Sequence, residues 1–276
     1  MAEQLRLMCV LAHPDDESLG NGGMLAKYAA EGIETYLVTA TRGERGWQGN
    51  AAAYPGSHAL GRMREAELRA AAQVLGLREV VVLDYQDGEL DRANPAEAIG
   101  QLVAQVRRLR PDVVVTFDPS GVYGHPDHIA ISQFATAAIV ASADPSYARP
   151  PALPAHRVAK LYYLAPGRNL LAAYQEAFGD LVMPVDGTER RAAGWDTWAI
   201  TTRVDTIAYW QQVWQAVSCH QTQLPTYQML RGLPDEHHHH LWGTQTFYRA
   251  FSLVNGGRTI EHDLFEGLRR PTDADT

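Results

Sequence analysis

The chain has 276 residues, 46% of them hydrophobic and 20% charged, an ordinary globular composition for one large domain or two small ones. A formal net charge of −8 argues against a nucleic-acid partner or an anionic-membrane surface. No apolar run approaches the roughly 20 residues that span a bilayer. Met1–Leu7 has no basic region followed by an apolar signal core, and Cys9 and Cys219 read as reduced thiols, so a cytoplasmic protein is expected.

Leu5–Ala12 reads as the first strand, with an apolar run from Leu7 to Ala12 of the length of a buried strand. Pro14 ends it, because proline lacks an N–H and restricts the residue before it. His13, Asp15, Asp16 and Glu17 follow, and Met24–Glu31 reads as the end of a helix closed by Gly32. Glu34–Thr41 is a second strand. The polar, Gly-rich segment from Arg42 to about Ser57 is too long for a structural turn and reads as a functional or mobile loop. Arg62–Leu75 is a helix ended by Gly76, and Glu79–Leu83 a third strand. Pro95–Arg110 is a helix with Asn94 as N-cap. Asp112–Phe117 is the fourth strand, Pro126 opens a helix to about Ala143, and Lys160–Leu164 is the fifth strand.

This alternation predicts an α/β fold, a Rossmann-like and mostly parallel sheet with helices on both faces. One domain is expected, with a core over about 1–165 and a C-terminal α+β extension over about 166–276. In the extension Trp198–Thr202 reads as a strand, Val204–Ser218 as a strong helix, and the tail from Leu268 as loose.

A histidine with two carboxylates at the carboxyl end of a strand is a metal-site pattern. Asp118 to His128 forms a second polar cluster, again after a strand. His125 and His128 are three apart and share one face at the start of a helix, and Asp127 is placed to orient one of them. The two clusters are expected to converge on one sheet edge. His237–His240 reads as a polar, His-rich rim or as a second metal site.

His13-Pro14-Asp15-Asp16-Glu17 together with His125-Pro126-Asp127-His128 resembles the zinc-dependent deacetylases related to the GlcNAc-phosphatidylinositol de-N-acetylase, the LmbE-like (PIG-L) family. The resemblance implies a hydrolase that removes an N-acetyl group from an N-acetylglucosamine-type sugar or glycoconjugate. It implies His13, Asp16 and His128 as ligands of zinc or another divalent ion, and Asp15 as general base. His125 would steady the oxyanion, Asp127 would orient His125, and Tyr123 would contribute to the transition state. Arg64, Glu44, Asp87 and His220 would contact the substrate. One departure is Arg45-Gly46-Trp47, where relatives often carry another acidic residue. The same site would serve an amidase for a larger acyl group, as for mycothiol conjugates or antibiotic precursors. A Rossmann-like sugar- or nucleotide-binding protein without turnover is the alternative of a different class. The partner expected is a small glycoconjugate. The aromatic-rich C-terminal third reads as core, a sugar platform or a homo-oligomer interface.

The chemistry fits these residue types. Two histidines and one carboxylate leave a tetrahedral zinc one open position, and a bound metal lowers the pKa of water to about 7. A neighbouring carboxylate can take that proton and hand it to the leaving amine. A donor opposite the metal is worth about 10²–10³ in rate.

Overall fold

The computed structural model describes residues 4–147 and 153–269. The first half alternates strand and helix: β1 (Arg6–Leu11), α1 (Asp16–Leu19), α2 (Gly22–Ala30), β2 (Glu34–Thr41), α3 (Ser57–Leu75), β3 (Glu79–Tyr85), α4 (Pro95–Leu109), β4 (Val113–Phe117), the single turn α5 (Gly121–Gly124), α6 (Pro126–Ala143) and β5 (Lys160–Leu164). The second half adds α7 (Arg168–Phe178), β6 (Val182–Val185), β7 (Thr188–Arg191), β8 (Thr202–Asp205), α8 (Trp210–Val217), α9 (Leu224–Tyr227), α10 (Asp235–Trp242) and β9 (Thr244–Ser252).

Seven strands form one sheet in the order β3-β2-β1-β4-β5-β9-β8, while β6 and β7 make a separate hairpin. The pairings from β3 to β5 are parallel; β9 runs antiparallel to β5, and β8 to β9. The extension therefore completes the main sheet. Central β1 is buried from Leu7 to Leu11, as expected of a parallel strand covered on both faces. The chain runs outward from β1 through β2 and β3, then returns to β4 on the other side of β1. That reversal is a topological switch point, where the carboxyl ends of two neighbouring strands leave a crevice. Both polar motifs leave the sheet there, one from β1 and one from β4.

Several boundaries differ from expectation. The first helix is two helices, α1 and α2, broken at Gly20-Asn21, with Gly32 left-handed as expected (φ 80°). Helix α3 begins at Ser57, five residues before Arg62. No strand covers Trp198–Thr201; β8 begins at Thr202, and Val204 is a strand residue paired with Gln245. The helix expected from Val204 starts at Trp210, since Val204 and Thr202 are buried by sheet pairing. His237–His240 lies in α10 and is not a loop. The loose tail expected from Leu268 lies, beyond Arg269, outside the described residues.

Candidate active site

The turn after β1 is held in a costly conformation. Asp15 has φ 108°, a region that non-glycine residues rarely occupy. Its N–H donates to Glu17 Oε2 at 2.9 Å, and its carbonyl accepts the N–H groups of Ser18 and Leu19. Glu17 is fully buried and lies 2.8 Å from His220 Nε2. Burial alone would raise its carboxyl, but His220 and Ser18 hold it below the usual range. This irregular turn lets the adjacent carboxylates of Asp15 and Asp16 diverge.

His13, Asp16 and His128 face one point. His13 Nδ1 lies 3.2 Å from His128 Nε2 and 3.7 Å from Asp16 Oδ2, and His128 Nε2 lies 3.5 Å from Asp16 Oδ1. Ligands at about 2.0–2.2 Å from one tetrahedral zinc stand about 3.3–3.6 Å apart. The three side chains therefore fit a divalent ion without rearrangement. Asp16 Oδ2 is fixed by the N–H groups of Ala12 and His13, and the His128 ring stacks on Phe117 at 3.9 Å.

Behind His13, Asp127 Oδ2 and Asp87 Oδ1 lie 3.1 and 3.2 Å from Nε2. Burial opposes a charge on His13, yet Asp127, Asp87 and Asp16 pull its pKa up to about 10. Burial and the His13 charge push His128 down. A carboxylate field of this kind favours a cation at the centre of the cluster. The Asp127 carboxylate also accepts the N–H groups of Gly88 and Leu90. It lies near the His125 ring without a hydrogen bond to it, and the Asp127 N–H donates to His125 Nδ1, at 3.2 Å. Because Nδ1 accepts, the His125 proton sits on Nε2, which is left free to donate. Burial and the neighbouring His13 charge lower His125 to about 4, so the ring is neutral. Tyr123 packs edge-on against His128 at 5.3 Å and His125 at 6.0 Å.

Asp15 is clamped on one oxygen. Arg64 Nη2 and the Tyr227 hydroxyl both donate to Oδ2, at 3.1 and 3.0 Å. Arg64 is buried and also donates to the carbonyls of Pro14 and Gly43. A Cβ at Gly43 or Gly46 would collide with Arg64 Nη1, so both glycines are needed for this arginine to reach Asp15. Arg64 thus lines the cavity while its guanidinium is engaged by the chain's own groups.

One cavity of about 600 Å³ opens over these residues, lined by His13, Asp15, Asp16, Asp87, Tyr123, His125 and His128. Two expected substrate contacts fall outside that lining. Glu44 stands behind Asp87 and accepts its N–H at 3.1 Å. His220 is fully buried against Glu17, because α8 packs over α1. His238 is buried and stacked on Trp210 and Trp242 at 5.0 and 5.3 Å, a core ring. Among the described residues, His237–His240 joins no group of metal-ligating atoms. Trp210, Trp214, Trp242 and Tyr227 form a second apolar core.

Sequence reasoning missed two features. Tyr227 was only one aromatic among many, and nothing near it in the chain marks it as a partner of Asp15. Asp118 holds the loop before His125: it accepts the N–H of Val122 at 2.7 Å, the Ser120 hydroxyl at 2.7 Å and Trp195 Nε1 at 2.9 Å. Val122 has φ 66°, a genuine outlier for a β-branched residue, and Asp118 binds that strained N–H.

The PIG-L family model, GlcNAc-PI de-N-acetylase, matches residues 8–139. A 1D-myo-inositol 2-acetamido-2-deoxy-alpha-D-glucopyranoside deacetylase of Streptomyces avermitilis is 36% identical, over 95% of this chain and 97% of that protein. The enzyme of the same description from Geodermatophilus obscurus is 34% identical, over 97% and 99%. The crystal structure of a conserved protein from Thermus thermophilus, TT1542, superposes with a TM-score of 0.64 at 26% identity, over 92% of this chain and 98% of that one. With the paired motifs on neighbouring strand ends and relatives matched over nearly their full length, the chain belongs to the PIG-L (GlcNAc-PI de-N-acetylase, LmbE-like) family.

Proposed function

We propose that the protein is a metal-dependent N-deacetylase of N-acetylglucosamine-type sugars or glycoconjugates, with zinc as its metal and the cytoplasm as its place of action. The observation that carries this reading is the convergence of His13, Asp16 and His128 on one point with Asp15 beside them. Two imidazoles and one carboxylate suit zinc. Two free cysteines, Cys9 and Cys219, accord with a reducing compartment, and no helix among the described residues is long and apolar enough to cross a membrane.

A bound divalent ion supplies a Lewis acid for the amide carbonyl and acidifies a water. The protein's own residues do the rest. Asp127 and Asp87 fix the His13 ring through Nε2, which presents Nδ1 to the cluster. Asp15, with Oδ2 held by Arg64 and Tyr227, takes a proton from the attacking water and returns it to the departing sugar nitrogen. Neutral His125 donates from Nε2 to the amide oxygen as negative charge develops there. Tyr123 packs against both rings and walls the space above them.

The test is acetate release from methyl 2-acetamido-2-deoxyglucoside by zinc-loaded protein. Turnover that tracks zinc content and is lost in Asp15→Asn is expected. Absence of acetate across a panel of N-acetyl sugars would overturn the reading.

A further inference from the structure

Away from the metal cluster the cavity changes character. Leu170, Leu171, Leu181, Met183 and Leu241, all from the C-terminal extension, join Leu19 in lining it. Three of the polar side chains that share this lining are already engaged by the chain. Gln245 accepts the Met24 N–H and donates to the Gly20 carbonyl. Gln223 donates to the Gly46 carbonyl, and the Thr246 hydroxyl to that of Ala165. A polyol placed against such a wall would lose its water without gaining donors or acceptors, whereas an apolar group would bury surface.

We infer that the substrate is amphiphilic: an N-acylated aminosugar whose amide sits at the metal cluster and whose apolar substituent lies on the wall made by α7, β6 and α10. The inference rests on the deacetylase reading and names the substrate class within it. The apolar substituent can be carried at the anomeric oxygen or as a longer N-acyl chain. The chemistry of recognition is the same for both, and the wall supplies it through Leu170, Leu181 and Met183. The β6–β7 hairpin that carries Met183 is anchored to the catalytic loop: Arg190 Nη1 donates to the Gly124 carbonyl at 3.1 Å, and a Cβ at Gly124 would fall 2.6 Å from the Arg190 side chain. The wall is thereby fixed relative to His125.

The test compares kcat/KM of the zinc-loaded protein on four compounds below their aggregation limits. These are methyl, inositol and hexyl 2-acetamido-2-deoxyglucosides, and methyl N-hexanoylglucosaminide. The expected result is at least about a tenfold preference for one hexyl-bearing compound over both the methyl and the inositol glycosides. Which hexyl compound wins identifies the position of the apolar group. In Met183→Asp and Leu170→Asn the ratio of that compound to the methyl glycoside falls toward one. Equal rates on all four, or preference for the inositol glycoside, would overturn the inference and leave the deacetylase reading intact. No product from any of the four would instead sink the deacetylase reading.

Discussion

Tyr227 donates its hydroxyl to Asp15 Oδ2 over 3.0 Å from a position 212 residues further along the chain. Arg64 reaches the same oxygen, so the second oxygen, Oδ1, is left to accept a proton. Removing the tyrosine hydroxyl loses a hydrogen bond to a charged group, worth about 1.5–3 kcal/mol. Tyr227→Phe keeps the ring in its apolar core. It is expected to lower kcat by about 10–100-fold with KM changed much less, measured by steady-state acetate release.

Asp127 holds the His13 ring through Nε2. Loss of such an outer carboxylate typically costs about 10–100-fold in metal affinity. Asp127→Ala is expected to weaken zinc binding by that factor in competition with a chromophoric chelator. Unchanged affinity would show that His13 is oriented without it.

Trp195 ties the extension to the loop before His125. Its Nε1 donates to Asp118, and its ring stacks on Tyr248 at 5.3 Å. Trp195→Phe keeps a ring for the stack and removes the donor. A hydrogen bond to a charged carboxylate is worth about 1.5–3 kcal/mol, so a kcat decrease of about 10–100-fold is expected. The unfolding midpoint should shift little. Loss of stability with kcat preserved would assign Trp195 to packing alone.

The fold of the first half was legible because its signals are local. Apolar strand runs, Asn94-Pro95 and Pro126 as helix starts, and Gly32 and Gly76 as helix ends are each written within a few residues. The convergence of His13, Asp16 and His128 was legible because two short motifs sit at strand ends that the α/β pattern makes neighbours. What failed depended on distant partners. The helical stripe continued from Trp210 back through Val204, but pairing with Gln245 claims that segment for β8. Four consecutive histidines read as a His-rich rim, and His237 and His240 are exposed, but Trp210 and Trp242 take His238 into a core. His220 and Glu44 were expected at the substrate, and each instead props a neighbour, Glu17 and Asp87, by a contact no local pattern encodes.

Acid stability tests the joint between the extension and the sheet. Glu261 is buried. Burial alone would raise its carboxyl, but Lys160, Tyr162, Asn255 and Thr202 hold it at about 2, against an ordinary 4.5. Since the unfolded chain takes the proton first, this stabilisation is complete above about pH 4.5 and is lost as pH falls toward 2. It amounts to about 3 kcal/mol. Urea midpoints should fall over that window in the parent. Glu261→Gln, which leaves Lys160 buried without its counter-charge, should be less stable at neutral pH by about 3–5 kcal/mol and show a flatter acid dependence.

The central claim is that Asp15 is the base beside a metal held by His13, Asp16 and His128. The most direct measurement pairs zinc content with single-turnover acetate release for the parent, Asp15→Asn and His128→Ala. The account predicts that Asp15→Asn keeps one zinc and loses turnover by at least about 10³-fold, while His128→Ala loses both. An Asp15→Asn protein that retains near-parent turnover, or a His128→Ala protein that keeps zinc and activity, would contradict it.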